Sequence, residues 1–191
     1  MPSATISAPR HRPTLRRAVA LVLAGLLLVL IAGCGGDDDG DKAASAPSLK
    51  AGVPTILSES QLKAFGKAQA FPVYWAGPQK DRRYEVTRTA QGRVYIRYLG
   101  PNAEVGSDKP LFLTVGTYPG SNAYAALQVV GRRSGAVRVK TQTGALVVLP
   151  SATARNAYFA FPQSNFQVEV YAPQAGRARS LVLDGQISRL S

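Results

Sequence analysis

The sequence predicts an α+β fold: a single domain with a largely antiparallel β-sheet built from three hairpins, and two or three short helices covering one face. Three observations lead there. From Tyr84 to Tyr171, apolar and polar residues alternate in short runs, the period of half-buried strands. These runs are joined by turns that reverse the chain at once, such as Ala90-Gln91-Gly92 and Thr143-Gly144. Helical spacing is confined to a few stretches between hairpins, the arrangement of helices packed on an antiparallel sheet.

Taken in order, Ser58-Glu59-Ser60-Gln61 reads as a capping box that opens a helix to about Gln69, with Leu62 and Phe65 on one side. Phe71-Pro72-Val73-Tyr74-Trp75 ends that helix and begins a strand. Arg83 to Leu99 reads as a hairpin whose register follows from its side chains. A loop Ala90-Gln91-Gly92, with Gly92 in the left-handed position of a bulged turn, pairs Tyr84 with Tyr98, Val86 with Ile96 and Arg88 with Val94. The other face then pairs Glu85 with Arg97, Thr87 with Tyr95 and Thr89 with Arg93, all tolerable in water. A two-residue loop would set Val86 against Arg97 and mix the faces.

Leu111 to Gly116 reads as the next strand, and Ser121 as the cap of a helix to about Gly131 with Tyr124, Leu127 and Val130 on one side. Arg132 and Arg133 suit the negative end of that helix. Ala136 to Thr141 with Ala145 to Leu149 form a second hairpin, and Ala157 to Phe161 with Phe166 to Tyr171 a third. In the third, the loop from Pro162 to Asn165 sets Phe159 against Val168 and Phe161 against Phe166, an apolar face that belongs in the core. A last helix around Gln174 to Leu183, stopped near Gly185, leads to a short strand at Gln186 to Leu190, although Arg177 to Leu183 also fits a strand.

The first 49 residues carry a different pattern. Arg10, Arg12, Arg16 and Arg17 form a basic stretch, Ala18 to Ala32 an apolar run, and Leu30-Ile31-Ala32-Gly33-Cys34 follows with the only cysteine. This arrangement resembles the signal peptide and lipobox of bacterial lipoproteins. The resemblance covers residues 1–34 and says nothing of the rest. It implies cleavage between Gly33 and Cys34, acylation of Cys34, and a chain held by its lipid on the extracytoplasmic face of the cell membrane. The apolar run is shorter than the roughly 20 residues that span a bilayer. Arg16-Arg17 loosely resembles a twin-arginine export signal with poorly matching flanks, which makes ordinary secretory export the better reading.

Residues 34–49 are rich in Gly, Asp, Ala and Ser and bury too little apolar surface to offset their ordering entropy, so they read as a tether. Asp37, Asp39 and Asp41 have the opening spacing of a calcium loop, but Lys42 stands where such a loop needs Gly, and Ser48 where it needs a bidentate Glu. Residues 50–191 have the size of one extracytoplasmic domain.

That domain lacks most catalytic chemistry. The only histidine, His11, lies in the signal stretch, so no catalytic triad, Cys–His pair or ordinary zinc site is available. Ser60-Gln61-Leu62-Lys63 fits a Ser-x-x-Lys spacing, which helix capping explains better. Glu59, Asp81, Glu85, Glu104, Asp108, Glu169 and Asp184 leave a carboxylate pair formally open. No cofactor, no metal and no enzymatic activity are expected.

Charge points outward instead. Residues 50–191 carry 18 Lys and Arg against 7 Asp and Glu, a net +11. Lys80, Arg82 and Arg83 precede the first hairpin, and Arg93, Tyr95 and Arg97 alternate on its polar face, a candidate surface for an anionic wall polymer, lipid headgroups or an envelope protein. Arg138 and Lys140 extend this patch if the first two hairpins adjoin. Nucleic acid is not the expected partner outside the cell. Trp75 reads as core and Tyr74 as a possible contact. The expectation is a non-enzymatic binding or scaffolding lipoprotein, with a small-molecule binder, pocketed between sheet and helices, as the alternative.

Overall fold

The computed structural model describes residues 45–151 and 154–191. The expectations for the signal peptide, Cys34 and the three aspartates of the tether lie outside these residues. In chain order the elements are β1 (Thr55–Leu57), α1 (Glu59–Lys67), β2 (Tyr74–Trp75), β3 (Arg83–Arg88), β4 (Val94–Leu99), β5 (Thr114–Pro119), α2 (Ala123–Val130), β6 (Val137–Lys140), β7 (Leu146–Leu149), β8 (Asn156–Ala160), β9 (Phe166–Tyr171), α3 (Arg177–Leu183) and β10 (Ser188–Arg189). The fold is mostly antiparallel sheet with three helices. Eight strands lie in the order β1-β3-β4-β5-β9-β8-β7-β6, and β10 pairs with β2 apart from them. No helix among the described residues is long and apolar enough to cross a membrane.

Local chemistry sets the registers. β3 and β4 pair Tyr84 with Tyr98, Glu85 with Arg97 and Val86 with Ile96. Their turn closes with the Gly92 N–H donating to the Thr89 carbonyl at 3.0 Å, and Gly92 sits at φ 78°, where a side chain would be strained. β8 and β9 set Phe159 against Val168. The long-range step is β5 against β9, which pairs Gly116 with Glu169 and joins the two halves of the sheet.

One face carries the main core. Val86, Val94, Ile96, Val115, Val147, Val168 and Val170 are fully buried there, beneath Leu62 and Phe65 of α1, Trp75 of β2, and Ala178 and Leu181 of α3. Ser58 caps α1 by accepting from the Gln61 N–H while the Gln61 side chain accepts from the Ser58 N–H, the reciprocal box that the sequence predicts. Gly66 of α1 leaves the space that Leu190 fills, since a Cβ there would lie 2.5 Å from Leu190 Cδ2. The C-terminal segment is thereby fastened onto α1.

Four expectations need correction. The helices do not share one face. α2 packs Ala123 and Leu127 on Leu146, Val148 and Ala160, which alternate with core-facing Val147, Leu149 and Phe159, so α2 lies on the opposite face from α1 and α3. Ser121 does not cap α2: Asn122 does so in the left-handed region at φ 57°, without a side-chain cap, as the chain turns out of β5 toward the far edge. β5 starts at Thr114, not Leu111, because the preceding loop crosses the polar face of β3 and β4, leaving Leu111 62% exposed. The last helix starts at Arg177, after Gly176 at φ 77°. It stops as expected at Gly185, where the Gln186 N–H reaches the Leu181 carbonyl at 2.9 Å and the Gly185 N–H reaches Val182 at 3.3 Å.

Candidate functional site

With α2 drawn over β7 and β8, the same face of β4, β5 and β9 is left as an open trough of 410 Å³. Strand pairing lays out this face of the sheet in rows. One row runs Thr87, Tyr95, Gly116, Glu169, Tyr158 across five strands, and the next runs Glu85, Arg97, Thr114, Tyr171, Asn156. The loop at 107–112 forms one wall, held by Tyr171 Oη donating to the Pro110 carbonyl at 2.7 Å.

Gly116 is the hole in the first row. A Cβ there would meet Tyr118 Oη at 2.6 Å and Cζ at 2.9 Å, so only glycine lets Tyr118 fold back along its strand. Tyr118 Oη then donates to Glu169 Oε2, and Asn156 Nδ2 donates to Glu169 Oε1 at 2.5 Å. Tyr95 meets the Tyr118 ring edge-on, with 5.6 Å between centroids. Burial, and then the Glu169 carboxylate, push the Tyr118 hydroxyl well above the ordinary phenol range. The same two causes raise Tyr158 to about 12. Both hydroxyls therefore stay protonated as donors. Among the described residues the ion pairs are Lys63 with Glu59 and Arg97 with Glu85, so Glu169 is held by neutral donors. A carboxylate has about four acceptor positions. Tyr118 and Asn156 fill two of those of Glu169, and the Tyr158 hydroxyl stands beside the same carboxylate.

The predicted basic surface is dispersed rather than continuous. Arg93, Tyr95 and Arg97 do share the trough face, but Arg97 is spoken for: Nη1 donates to Glu85 Oε1 at 2.7 Å, Nη2 to the Ser107 carbonyl at 2.6 Å, and its guanidinium lies 5.0 Å from the Phe112 ring centre. Glu85, expected in water, is 1% exposed, because the Gly106 N–H also closes on it at 2.6 Å. Arg83 bonds the Gly100 and Ala103 carbonyls and steadies the same loop. Exposed Arg93 stacks over Tyr118 at 5.7 Å, while Lys80 and Arg82, also exposed, belong to the opposite end of the hairpin. Arg138 and Lys140 do not extend the patch, since β5, β9, β8 and β7 separate β4 from β6, about 24 Å at the usual strand spacing. Trp75 is core at 5% exposure, and half-buried Tyr74 packs on Phe159, Phe161 and Phe166.

Among the carboxylates, Asp108 and Glu169 line one trough, Asp108 exposed on the loop and Glu169 set in the sheet. No group of three metal-ligating side chains is found among the described residues. The constellation of Gly116, Tyr118, Asn156 and Glu169 escaped the sequence reading. Its signals were a glycine inside a strand and a glutamate alternating with Val168 and Val170, but the β5–β9 pairing that unites them spans some fifty residues and has no local mark. No family model, no characterised protein and no solved structure matches this chain.

Proposed function

We propose that this chain is a lipid-anchored, extracytoplasmic binding protein whose domain, residues 50–191, receives a small hydroxyl-rich ligand in the trough over Glu169. The address rests on the lipobox-like stretch: cleavage after Gly33, acyl chains on Cys34, and a tether to residue 49. The ligand reading is carried by one observation, a carboxylate held by two neutral donors on the floor of an open, aromatic-lined trough. The trough's volume lies within the range of about 300–1,000 Å³ usual for small-molecule sites. Tyr95, Phe112, Tyr118 and Tyr171 offer ring surfaces for the C–H faces of a sugar-like ligand, and Glu169 accepts its hydroxyls. Arg93 and Lys109 against Asp108 and Glu169 leave the rim near neutral, which suits an uncharged polyol better than a polyanion.

This reading favours the small-ligand alternative over a basic scaffolding face, because Arg83 and Arg97 are engaged in holding the loop. It is a binding reading, with no cofactor or metal assigned. Two experiments test it. Radiolabelled palmitate incorporates into the wild-type chain and not into Cys34→Ala; equal labelling contradicts the anchor. Calorimetric titration with oligosaccharides released from the cell wall gives saturable heat that Glu169→Gln weakens about tenfold, the effect of losing one hydrogen bond to a charged group. Binding that is indifferent to Glu169 overturns the site, and turnover of the sugar in place of saturable binding overturns the non-enzymatic reading.

A further inference from the structure

α2 differs from an ordinary surface helix in what it shows to solvent. Such a helix usually carries charge on its outer side, yet Ala123–Val130 contains no charged residue, and its exposed positions are Ala125, Ala126, Gln128 and Val129, the last 62% exposed. Cations gather instead at its C-terminal end. Arg132 and Arg133 follow the cap at Gly131, and Arg138 and Lys140 of β6 pair with Val148 and Leu146, the β7 residues on which α2 packs, so both project on the α2 face of the sheet. A Cβ at Gly131 would lie 2.7 Å from Arg138 Cδ, which places the Arg138 stem against the end of the helix. All four cations are exposed, and none belongs to the ion pairs among the described residues. No acidic residue occurs from 109 to 168. Along its own row of the sheet Arg138 is three strands from Glu169, about 14 Å at the usual spacing, so patch and trough are separate places on one face.

We propose that the end of α2 and the β6 edge form a docking surface for an anionic phospholipid bilayer, with Arg132, Arg133, Arg138 and Lys140 on the headgroup phosphates and Val129 entering between them. An uncharged helix side bordered by arginines is the arrangement of an interfacial segment, in which apolar side chains enter the boundary and cations meet the headgroups. A soluble wall polyanion would satisfy the cations but leaves Val129 and the uncharged side of α2 without a partner. The inference rests on the Cys34 anchor, which brings the domain to the membrane, and is independent of the trough's ligand. Residues 35–44 reach about 34 Å at full extension, as far as the eight-stranded sheet is wide, so an anchor ahead of the β1 edge allows the β6 edge to meet the bilayer.

The test uses the full-length chain in vesicles of phosphatidylcholine, with or without phosphatidylglycerol. With Cys34 acylated, Val129→Cys carries the only free thiol and takes a fluorophore; Ala68→Cys, exposed at the end of α1 on the opposite face, is the reference. Nitroxide-bearing lipids should quench the label at position 129 in the phosphatidylglycerol vesicles and not in phosphatidylcholine alone, and should leave position 68 bright in both. Arg132→Gln with Arg133→Gln should lower the ratio of docked to free domain about twentyfold, about fivefold for each cation near an anionic surface, with the thermal midpoint unchanged. Salt at about 0.5 M should release the domain while the chain stays with the vesicles. Flotation with phosphatidylcholine vesicles reports the anchor and quenching at position 129 reports docking, so the two readings fail separately. Equal quenching at 68 and 129, no change in the double variant, or a label at 129 shielded by soluble polyglycerol phosphate and untouched by phosphatidylglycerol vesicles would overturn the proposal.

Discussion

Gly116→Ala is the sharpest perturbation of the trough, because it removes no group and adds one methyl. Its backbone is ordinary strand, so any loss must come from the methyl's collision. The added Cβ would lie 2.6 Å from Tyr118 Oη, 2.9 Å from Cζ and 3.1 Å from Cε1. Tyr118 must swing away and release Glu169. A hydrogen bond to a charged group contributes about 1.5–3 kcal/mol, and the Tyr95 edge contact about 0.5–1.5 kcal/mol. Against this, replacing Gly in a strand gains about 0.5–1 kcal/mol. The net loss is about 2 kcal/mol, or roughly 6 °C in Tm for a domain of this size. The assay is urea unfolding of residues 45–191 in a cycle with Tyr118→Phe. Each single change should destabilise, and the second should add little once the first is made, leaving a coupling of about 1.5 kcal/mol. Additive effects, or a stabilised Gly116→Ala, would refute the claim that this glycine exists to seat Tyr118 on Glu169.

Two further outcomes follow from the buried groups. Arg97→Ala should destabilise by about 3–5 kcal/mol, since it strands the Glu85 carboxylate in the loop's shadow, whereas Arg93→Ala at its exposed position should change stability by less than about 0.5 kcal/mol; chemical denaturation of the two variants side by side checks the contrast, and equal losses would contradict it. Tyr158 binds its proton more tightly folded, at about 12 against 10 unfolded, through burial and then the neighbouring Glu169. Its contribution to stability is therefore complete below about pH 10 and is lost as pH climbs toward 12, so urea midpoints should fall across that window, less steeply in Tyr158→Phe. A flat profile would contradict the assignment.

What the sequence made legible was local. The register of β3 and β4 follows from side-chain alternation and one left-handed glycine, and the α1 capping box from four consecutive residues, because in each case the deciding interactions lie within a few residues along the chain. The site was legible only in part. Arg93, Tyr95 and Arg97 were placed on one face, yet whether a cation is free depends on what covers it, and the loop carrying Gly106 and Ser107 reaches Arg97 and Glu85 through main-chain groups that every residue has. The partners of Glu169 were hidden for a different reason: Tyr118 and Asn156 come from strands whose neighbourhood is set by the packing of the whole sheet. α2 fell on the unexpected face because Leu146 and Val148 of β7 are as apolar as Val147 and Leu149, so the alternation there does not tell one side from the other.

The most direct test of the account is retention of residues 50–191 on envelope fractions, wild type against Glu169→Gln, titrated with salt to about 0.5 M, where exposed charge contacts are screened within about 4–5 Å. The account predicts retention that survives the salt and is about tenfold weaker in the Glu169 variant. Retention that salt alone abolishes, identical in both proteins, would contradict it and return the function to the basic surface.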